Sequence, residues 1–276
     1  GFIWISTENG LARFDGMDFN TFHYDRNNPN SIASDFVLAV LEDSFGTYWV
    51  GTSAGLQTFD PEYGSFSSID LKDPAVPSSG QHISAMIESE VKGRRMIIAA
   101  SSGHGIYTID PQTRSAVPEV FNHLNAELPS LFIKSIFKDK LNRLWVASED
   151  GGICVIDLNE CKLIENIIWK GTRNEDAVVK AFAQRENGDI LIGTSNYGIL
   201  IYDADKNIIR TSNHASARNC KVESLLRNNF TDKDGNDTFI TGVENGGLML
   251  YSIETESLTT IEIPGLSLDT SSWKEH

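Results

Sequence analysis

No stretch of about 18 apolar residues occurs in the 276-residue chain, so no segment reads as a membrane-spanning helix. Cysteine is scarce: Cys154, Cys161 and Cys220 are an odd set and a poor disulfide framework. If two strands run over 152–157 and 161–166 around a tight turn, Cys154 and Cys161 fall out of register, and free thiols are expected. Positive charge is sparse too. Twenty-three Lys and Arg stand against 38 Asp and Glu, a net charge of −15, and the densest basic stretch is only Lys92-Gly93-Arg94-Arg95. An acidic surface without a basic patch repels phosphate backbones, so nucleic acid is not an expected partner. A phosphate-cradling loop is missing as well, because Ser102-Gly103-His104-Gly105 lacks the Lys-Ser/Thr that would follow. The six histidines (23, 82, 104, 123, 214 and 276) show no paired ligand spacing with cysteine or acid, so no metal and no other cofactor is expected. No signal peptide is expected at the start of the chain. It opens on Gly1-Phe2-Ile3-Trp4-Ile5, which reads as the middle of a strand and hence as a piece of a longer protein.

What the chain does have is a repeat. A glycine followed by an aliphatic residue recurs as Gly10-Leu11, Gly55-Leu56, Gly105-Ile106, Gly152-Ile153, Gly198-Ile199 and Gly247-Leu248, at steps of 45, 50, 47, 46 and 49 residues. Five residues after each glycine stands Asp15, Asp60, Asp110, Asp157 or Asp203, with Ser252 in the last copy. Upstream of each glycine runs an apolar strand ending in small residues, as in Trp49-Val50-Gly51-Thr52 and Leu191-Ile192-Gly193-Thr194. Further upstream five copies carry another apolar strand with a small residue at a fixed place: Ala39, Ala85, Ser135, Ala181 and Ser224.

The period-two patterning is that of strands. Each copy therefore reads as four: A of the type 36–42, B 48–52, C 55–59 and D near 65–70, with Asp43-Ser44-Phe45-Gly46 and Asp60-Pro61 supplying turns. Four strands per unit of 40–50 residues predict an all-β fold, a β-propeller of four-stranded antiparallel blades. The blades fall at about 1–24, 35–70, 81–120, 131–166, 177–211 and 220–263, one domain over 1–276. The first copy lacks strand A, so about six blades of a seven-bladed propeller are expected. Strand A should lie nearest the axis, which would explain its small residues. Trp4, Trp49 and Trp145 should fill the wider gaps between blades.

The segments Ile3-Trp4-Ile5-Ser6-Thr7-Glu8-Asn9-Gly10-Leu11 and Asp43-x-x-Gly46-x-x-Trp49-Val50-Gly51-Thr52-x-x-Gly55-Leu56 closely resemble the two-component-regulator propeller repeat. That repeat builds the periplasmic sensor region of hybrid two-component systems in Bacteroidetes. The resemblance implies a non-catalytic sensor that detects an oligosaccharide and controls polysaccharide-utilisation genes through a histidine kinase elsewhere in a membrane-anchored parent. It also implies periplasmic location and homodimerisation through the full sensor region, with no membrane contact by this stretch.

Two other classes compete with ligand sensing. A glycosidase or lyase would need two carboxylates about 5–10 Å apart across one bond. Glu8, Glu149, Asp150 and Glu244 lie on B–C turns that converge on one face of a propeller, yet no pair is singled out. A protein-binding scaffold is the third reading. For sugar binding, which wants aromatic platforms beside polar groups, the B–C turns offer Asn9, His104, Asp150, Asn196, Tyr197 and Asn245. The links between copies offer Arg26, Asn28, Trp169, Arg173 and Asn174. Asn9, His104, Asp150, Trp169, Arg173, Tyr197 and Asn245 are the candidate ligand residues, and no catalytic residue is assigned.

Overall fold

The computed structural model describes residues 2–72, 81–149, 152–170, 176–231 and 236–261. Each repeat folds into one antiparallel sheet whose strands follow chain order. The chain is all-β and its fold is a β-propeller. Two compact units are present, the first of residues 1–149 and 153–166, the second of 150–152 and 167–276.

The first unit holds four sheets. The first has three strands, β1 (Ile3–Thr7), β2 (Gly10–Phe14) and β3 (Phe19–Phe22). The second is β4 (Val37–Glu42), β5 (Tyr48–Thr52), β6 (Gly55–Asp60) and β7 (Ser65–Ser68). The third is β8 (Ile83–Val91), β9 (Arg94–Ser101), β10 (Gly105–Asp110) and β11 (Ser115–Ala116). The fourth is β12 (Ile133–Lys138), β13 (Arg143–Ser148), β14 (Ile153–Asp157) and β15 (Lys162–Ile167). In the second unit the fifth sheet is β16 (Val179–Gln184), β17 (Ile190–Thr194), β18 (Gly198–Asp203) and β19 (Ile208–Thr211). The sixth is β20 (Val222–Thr231), β21 (Asp237–Val243), β22 (Gly247–Ser252) and β23 (Leu258–Thr260).

A four-stranded sheet with two apolar faces cannot be covered by its own strands, and within each unit the core lies between consecutive sheets. Leu11 with Val50, Phe59 and Phe66 joins the first sheet to the second. Trp49 and Leu56 meet Ile83, Ile97 and Ile109 between the second and third. Ile98 and Ile106 meet Leu144, Val146 and Ile156 between the third and fourth. In the second unit Leu191, Ile199 and Ile201 meet Val222, Phe239 and Tyr251. Strand B is thus buried on both faces, which is why β13 and β17 read as unbroken apolar runs and not as clean alternation. Trp49 and Trp145 are fully buried as expected, while Trp4 is only half-buried and packs on Tyr48 and Phe59 at ring distances of 5.3 Å.

Strand A behaves differently from the expectation of tight packing. In the first unit β4 lies beside β8 and β8 beside β12; in the second, β16 lies beside β20. Yet Ala39, Ala85, Ser135 and Ala181 are half-exposed and Ser224 is exposed. The A–B pairing slips at Val37/Ala39, Ile83/Ala85, Ile133/Ser135, Val179/Ala181 and Val222/Ser224. Each small residue directly follows a β-bulge, which adds one residue to the strand and bends it. The recurrent small side chain marks a backbone irregularity at the entry to strand A.

The repeated aspartates after strand C all accept backbone N–H groups. Asp15 takes Met17 and Asp18, Asp60 takes Glu62 and Tyr63, Asp157 takes Asn159 and Glu160, at 2.7–3.2 Å. In Asp15 and Asp110 these bonds hold the carboxyl below its ordinary range. Among the glycines, Gly198 needs its lack of a side chain most: its φ is +69° and a Cβ there would collide with the Ala217 carbonyl oxygen. All three cysteines are free thiols, and burial pushes Cys154 up to about 11.

Candidate functional site

Four of the B–C turns are built by a hydroxyl that ends strand B. Thr7 donates to the Gly10 carbonyl at 2.7 Å and accepts the Asn9 N–H at 3.0 Å. Thr52 does the same to Gly55 and Ala54, Ser101 to Gly105 and His104, and Thr194 to Gly198 and Tyr197, at 2.9–3.2 Å. The terminal Thr of the repeat is therefore a clamp that closes the turn, a role that spacing alone did not reveal. Thr194 is fully buried. Thr194→Val keeps its shape and removes both bonds, and a loss of about 1–2 kcal/mol is expected. A thermal melt that does not move would show the clamp to be dispensable.

Seen this way, several candidate residues owe their places to the turn. Asn9 and Asn245 are exposed. Asn245 has φ +58°, a conformation that asparagine tolerates better than most side chains. His104 is half-buried, with its backbone N–H on Ser101. Tyr197 and Trp169 are brought together: their rings meet edge-on at 5.0 Å and 82°. Tyr197 is 7% exposed, so this pair packs the link onto the turn. Asn196 fastens the same link, donating to the Asp176 carbonyl at 2.9 Å and accepting the Val178 N–H at 3.0 Å. Asp150 and Arg173 lie outside the described residues. Glu149 pairs with Lys134 at 3.8 Å and Glu244 with Lys221 at 2.9 Å. Among the described residues no group of three or more His, Cys, Asp and Glu is placed to hold a metal ion.

The structure adds positions that were not singled out from sequence. In the five copies with a strand A, the residue after strand B donates its N–H to the carbonyl of the residue just before strand A. These bonds run from Ser53 to Phe36, Ser102 to His82, Glu149 to Phe132, Ser195 to Val178 and Glu244 to Lys221, at 2.7–3.0 Å. The backbone repeats while the side chains change: Phe36, His82 and Phe132 in the first unit, Val178 and Lys221 in the second. Two residues further, the bulged residues are Leu38, Ser84 and Lys134, then Lys180 and Glu223. Phe36 and Phe132 are 38% and 47% exposed. Burial, and then the charge of Lys134, lowers His82 below the ordinary histidine range, so at neutral pH its uncharged imidazole can both donate and accept. In the second unit Lys180 pairs with Glu223 at 3.4 Å. These are the varied, part-exposed side chains of an otherwise constant frame. Aligning the copies on the small residue of strand A and reading one and three places upstream finds them.

A constant frame of clamped turns thus carries varied side chains at its strand entries. Residues 31–54 match the two-component regulator propeller family. The matched stretch holds strand A, the Asp43 turn and strand B of the second sheet. Among solved structures the chain is similar to the extracellular domain of BT3049 from B. thetaiotaomicron, assigned to the hybrid two component systems, with 22% identity and a TM-score of 0.72 over 96% of this chain and 34% of that one. A second such domain, of BT4673 from the same organism, matches at 15% identity and a TM-score of 0.70, over 96% of this chain and 35% of that one. PorZ of Porphyromonas gingivalis, a surface component of the type-IX secretion system, matches at 16% and 0.65, over 93% of this chain and 38% of that one. The chain thus spans about a third of the length of these structures. No curated protein matches it in sequence. At these identities the likeness establishes the propeller fold. No helix among the described residues is long and apolar enough to cross a membrane.

Proposed function

We propose that this propeller is an extracytoplasmic ligand-sensing module of a hybrid two-component signalling protein. It has no chemistry of its own, and it passes ligand occupancy to a histidine kinase elsewhere in the parent. The single observation that carries the reading is the two-component regulator propeller match over 31–54, set in a chain whose repeats share that pattern. The fold likeness to the extracellular domains of two hybrid two component systems supports it. The ligand class is an oligosaccharide, and the output is control of polysaccharide-utilisation genes. The varied side chains at the strand-A entries of the first unit, Phe36, His82 and Phe132, join Asn9 and His104 as the surface that would meet it. A half-exposed aromatic beside hydrogen-bonding groups suits a sugar, whose C–H face is apolar and whose hydroxyls are not. The module works in the periplasm, and signalling is a ligand-dependent change in how two copies of the sensor region pack.

Calorimetry of the complete extracytoplasmic region against a glycan panel tests this. Saturable binding without turnover is expected. Turnover would instead install a glycosidase or lyase, and silence across the panel would favour a protein-binding scaffold.

A further inference from the structure

The link between the first two sheets walls a cavity of about 620 Å³ that the repeat does not require. Its floor is Ile32 and Leu56, both buried, and Gln57, 2% exposed. The position of Gln57, two after the repeated glycine, is Ala12, Tyr107, Cys154, Leu200 and Met249 in the other copies. Here the carboxamide holds the link: Oε1 accepts the Ala33 N–H at 2.7 Å, and Nε2 reaches the Ser31 carbonyl at 3.4 Å. The link is also braced from within. Asp25 Oδ1 accepts the Asn27 N–H at 2.9 Å, the Ser31 hydroxyl accepts the Asp25 N–H at 3.0 Å, and the Asn30 carbonyl takes the Phe66 N–H at 2.8 Å. The walls are therefore ordered before any ligand arrives, which lowers the entropic cost of binding.

The groups left unspent tell what would bind. Among the described residues the Arg26 guanidinium makes no ion pair, although the chain carries a net charge of −15. Asn28 uses Oδ1 on the Asn30 N–H at 3.0 Å and leaves its Nδ2 donors over. Tyr24, half-exposed, adds an aromatic ring and a phenol at the rim. An accessible aromatic ring, one guanidinium, amide donors and the remaining oxygen of Asp25 match one chemistry: a sugar ring bearing a carboxylate. The ring's C–H face would lie on the Tyr24 ring, its hydroxyls would meet Asp25 and Asn28, and its carboxylate would meet Arg26 as a charge-assisted fork.

We propose that this cavity is a binding site for a uronic-acid unit, which gives the sensed oligosaccharide an acidic character. The assignment rests on the ligand-sensing reading for its ligand class.

The test is calorimetry of the complete extracytoplasmic region with digalacturonic acid and with its neutral counterpart galactobiose, on wild type and Arg26→Ala. Arg26 is exposed, so its replacement should leave the melting temperature in place. Digalacturonic acid is expected to bind wild type saturably and galactobiose about tenfold or more weaker. Arg26→Ala should weaken the acid about tenfold or more and leave galactobiose unchanged, as loss of a charged hydrogen-bonding partner implies. Equal binding of acid and neutral sugars, or acid binding indifferent to Arg26→Ala, overturns the cavity assignment and leaves the sensing reading standing. No binding by any glycan of the wider panel overturns both.

Discussion

Replacing Asp139 by Ala should cost about 3–5 kcal/mol of stability, the cost of stripping a buried ionic network of its acceptor. Asp139 is 1% exposed and carries four bonds. Oδ1 accepts the N–H groups of Leu141 and Arg143, each at 2.9 Å. Oδ2 accepts Trp145 Nε1 at 2.9 Å and Arg143 Nε at 2.6 Å. One carboxylate thus shapes the A–B turn and anchors the fully buried tryptophan of strand B. Its counterpart Asp43 makes three of these bonds, to Phe45, Thr47 and Trp49, and has Thr47 where Arg143 stands. Asp43→Ala should accordingly be the milder change, by about 1 kcal/mol. Asp139→Asn separates acceptor chemistry from side-chain volume. It is isosteric, but its amide would set a donor against donors, so it should be nearly as damaging as Ala. Urea melts followed by far-UV dichroism and tryptophan fluorescence report all three. If Asp139→Asn melted within about 0.5 kcal/mol of wild type, the carboxylate would not be holding the turn.

The same pair shows how far the chain could be read beforehand. The D-x-x-G-x-x-W spacing of Asp43 to Trp49 reads as a turn followed by a strand, and the glycine before an aliphatic residue, recurring six times, predicts six blades. The bond that joins the two ends of the motif was not, because a hydrogen bond across six residues leaves no periodic trace. The bulges before Ala39 and its counterparts left a trace that pointed elsewhere: smallness suggested tight packing, whereas register slips at that place. Repetition exposes positions that the backbone dictates, and these are mostly architecture. Side chains that vary from copy to copy carry no such signal. Phe36, His82 and Phe132 become comparable only once the strand-A entries are superposed. Tyr197 stood out as an aromatic outside the repeat, and its edge-on contact with Trp169 could be seen only in three dimensions. Gln57, whose polarity is anomalous for its position, was the one sequence clue to the cavity under the first link.

Glu256→Gln should cost about 2–3 kcal/mol in the second unit, the value of charged hydrogen bonds in a partly buried place. Glu256 is 7% exposed and sits at φ +53°, a left-handed conformation that a glutamate adopts only when its surroundings hold it there. What holds it is a fork from Arg210, with Nη2 on Oε1 at 2.6 Å and Nη1 on Oε2 at 3.0 Å. The Asn213 N–H joins at 2.5 Å, and the Ser212 hydroxyl donates to the Glu256 carbonyl at 2.9 Å. The β22–β23 turn is thereby latched to the segment after β19. Burial alone would raise the carboxyl, but the hydrogen bonds from Arg210 and Asn213 outweigh it, and Glu256 stands below its ordinary value of 4.5. A carboxylate depressed on folding stabilises fully above its unfolded value, and the contribution is lost as pH falls below 4.5 through the folded one. Wild type should therefore lose stability over that acid range more steeply than Glu256→Gln. The difference between the two isolates the latch from Asp15, Asp110 and Asp203, which are also lowered but titrate alike in both proteins. Glu256→Gly supplies the opposing control, since it relieves the left-handed strain of about 1–2 kcal/mol while removing the latch. Net destabilisation by Gly is expected. A glycine variant more stable than wild type, or parallel acid slopes for wild type and Gln, would show that strain outweighs the ion pair.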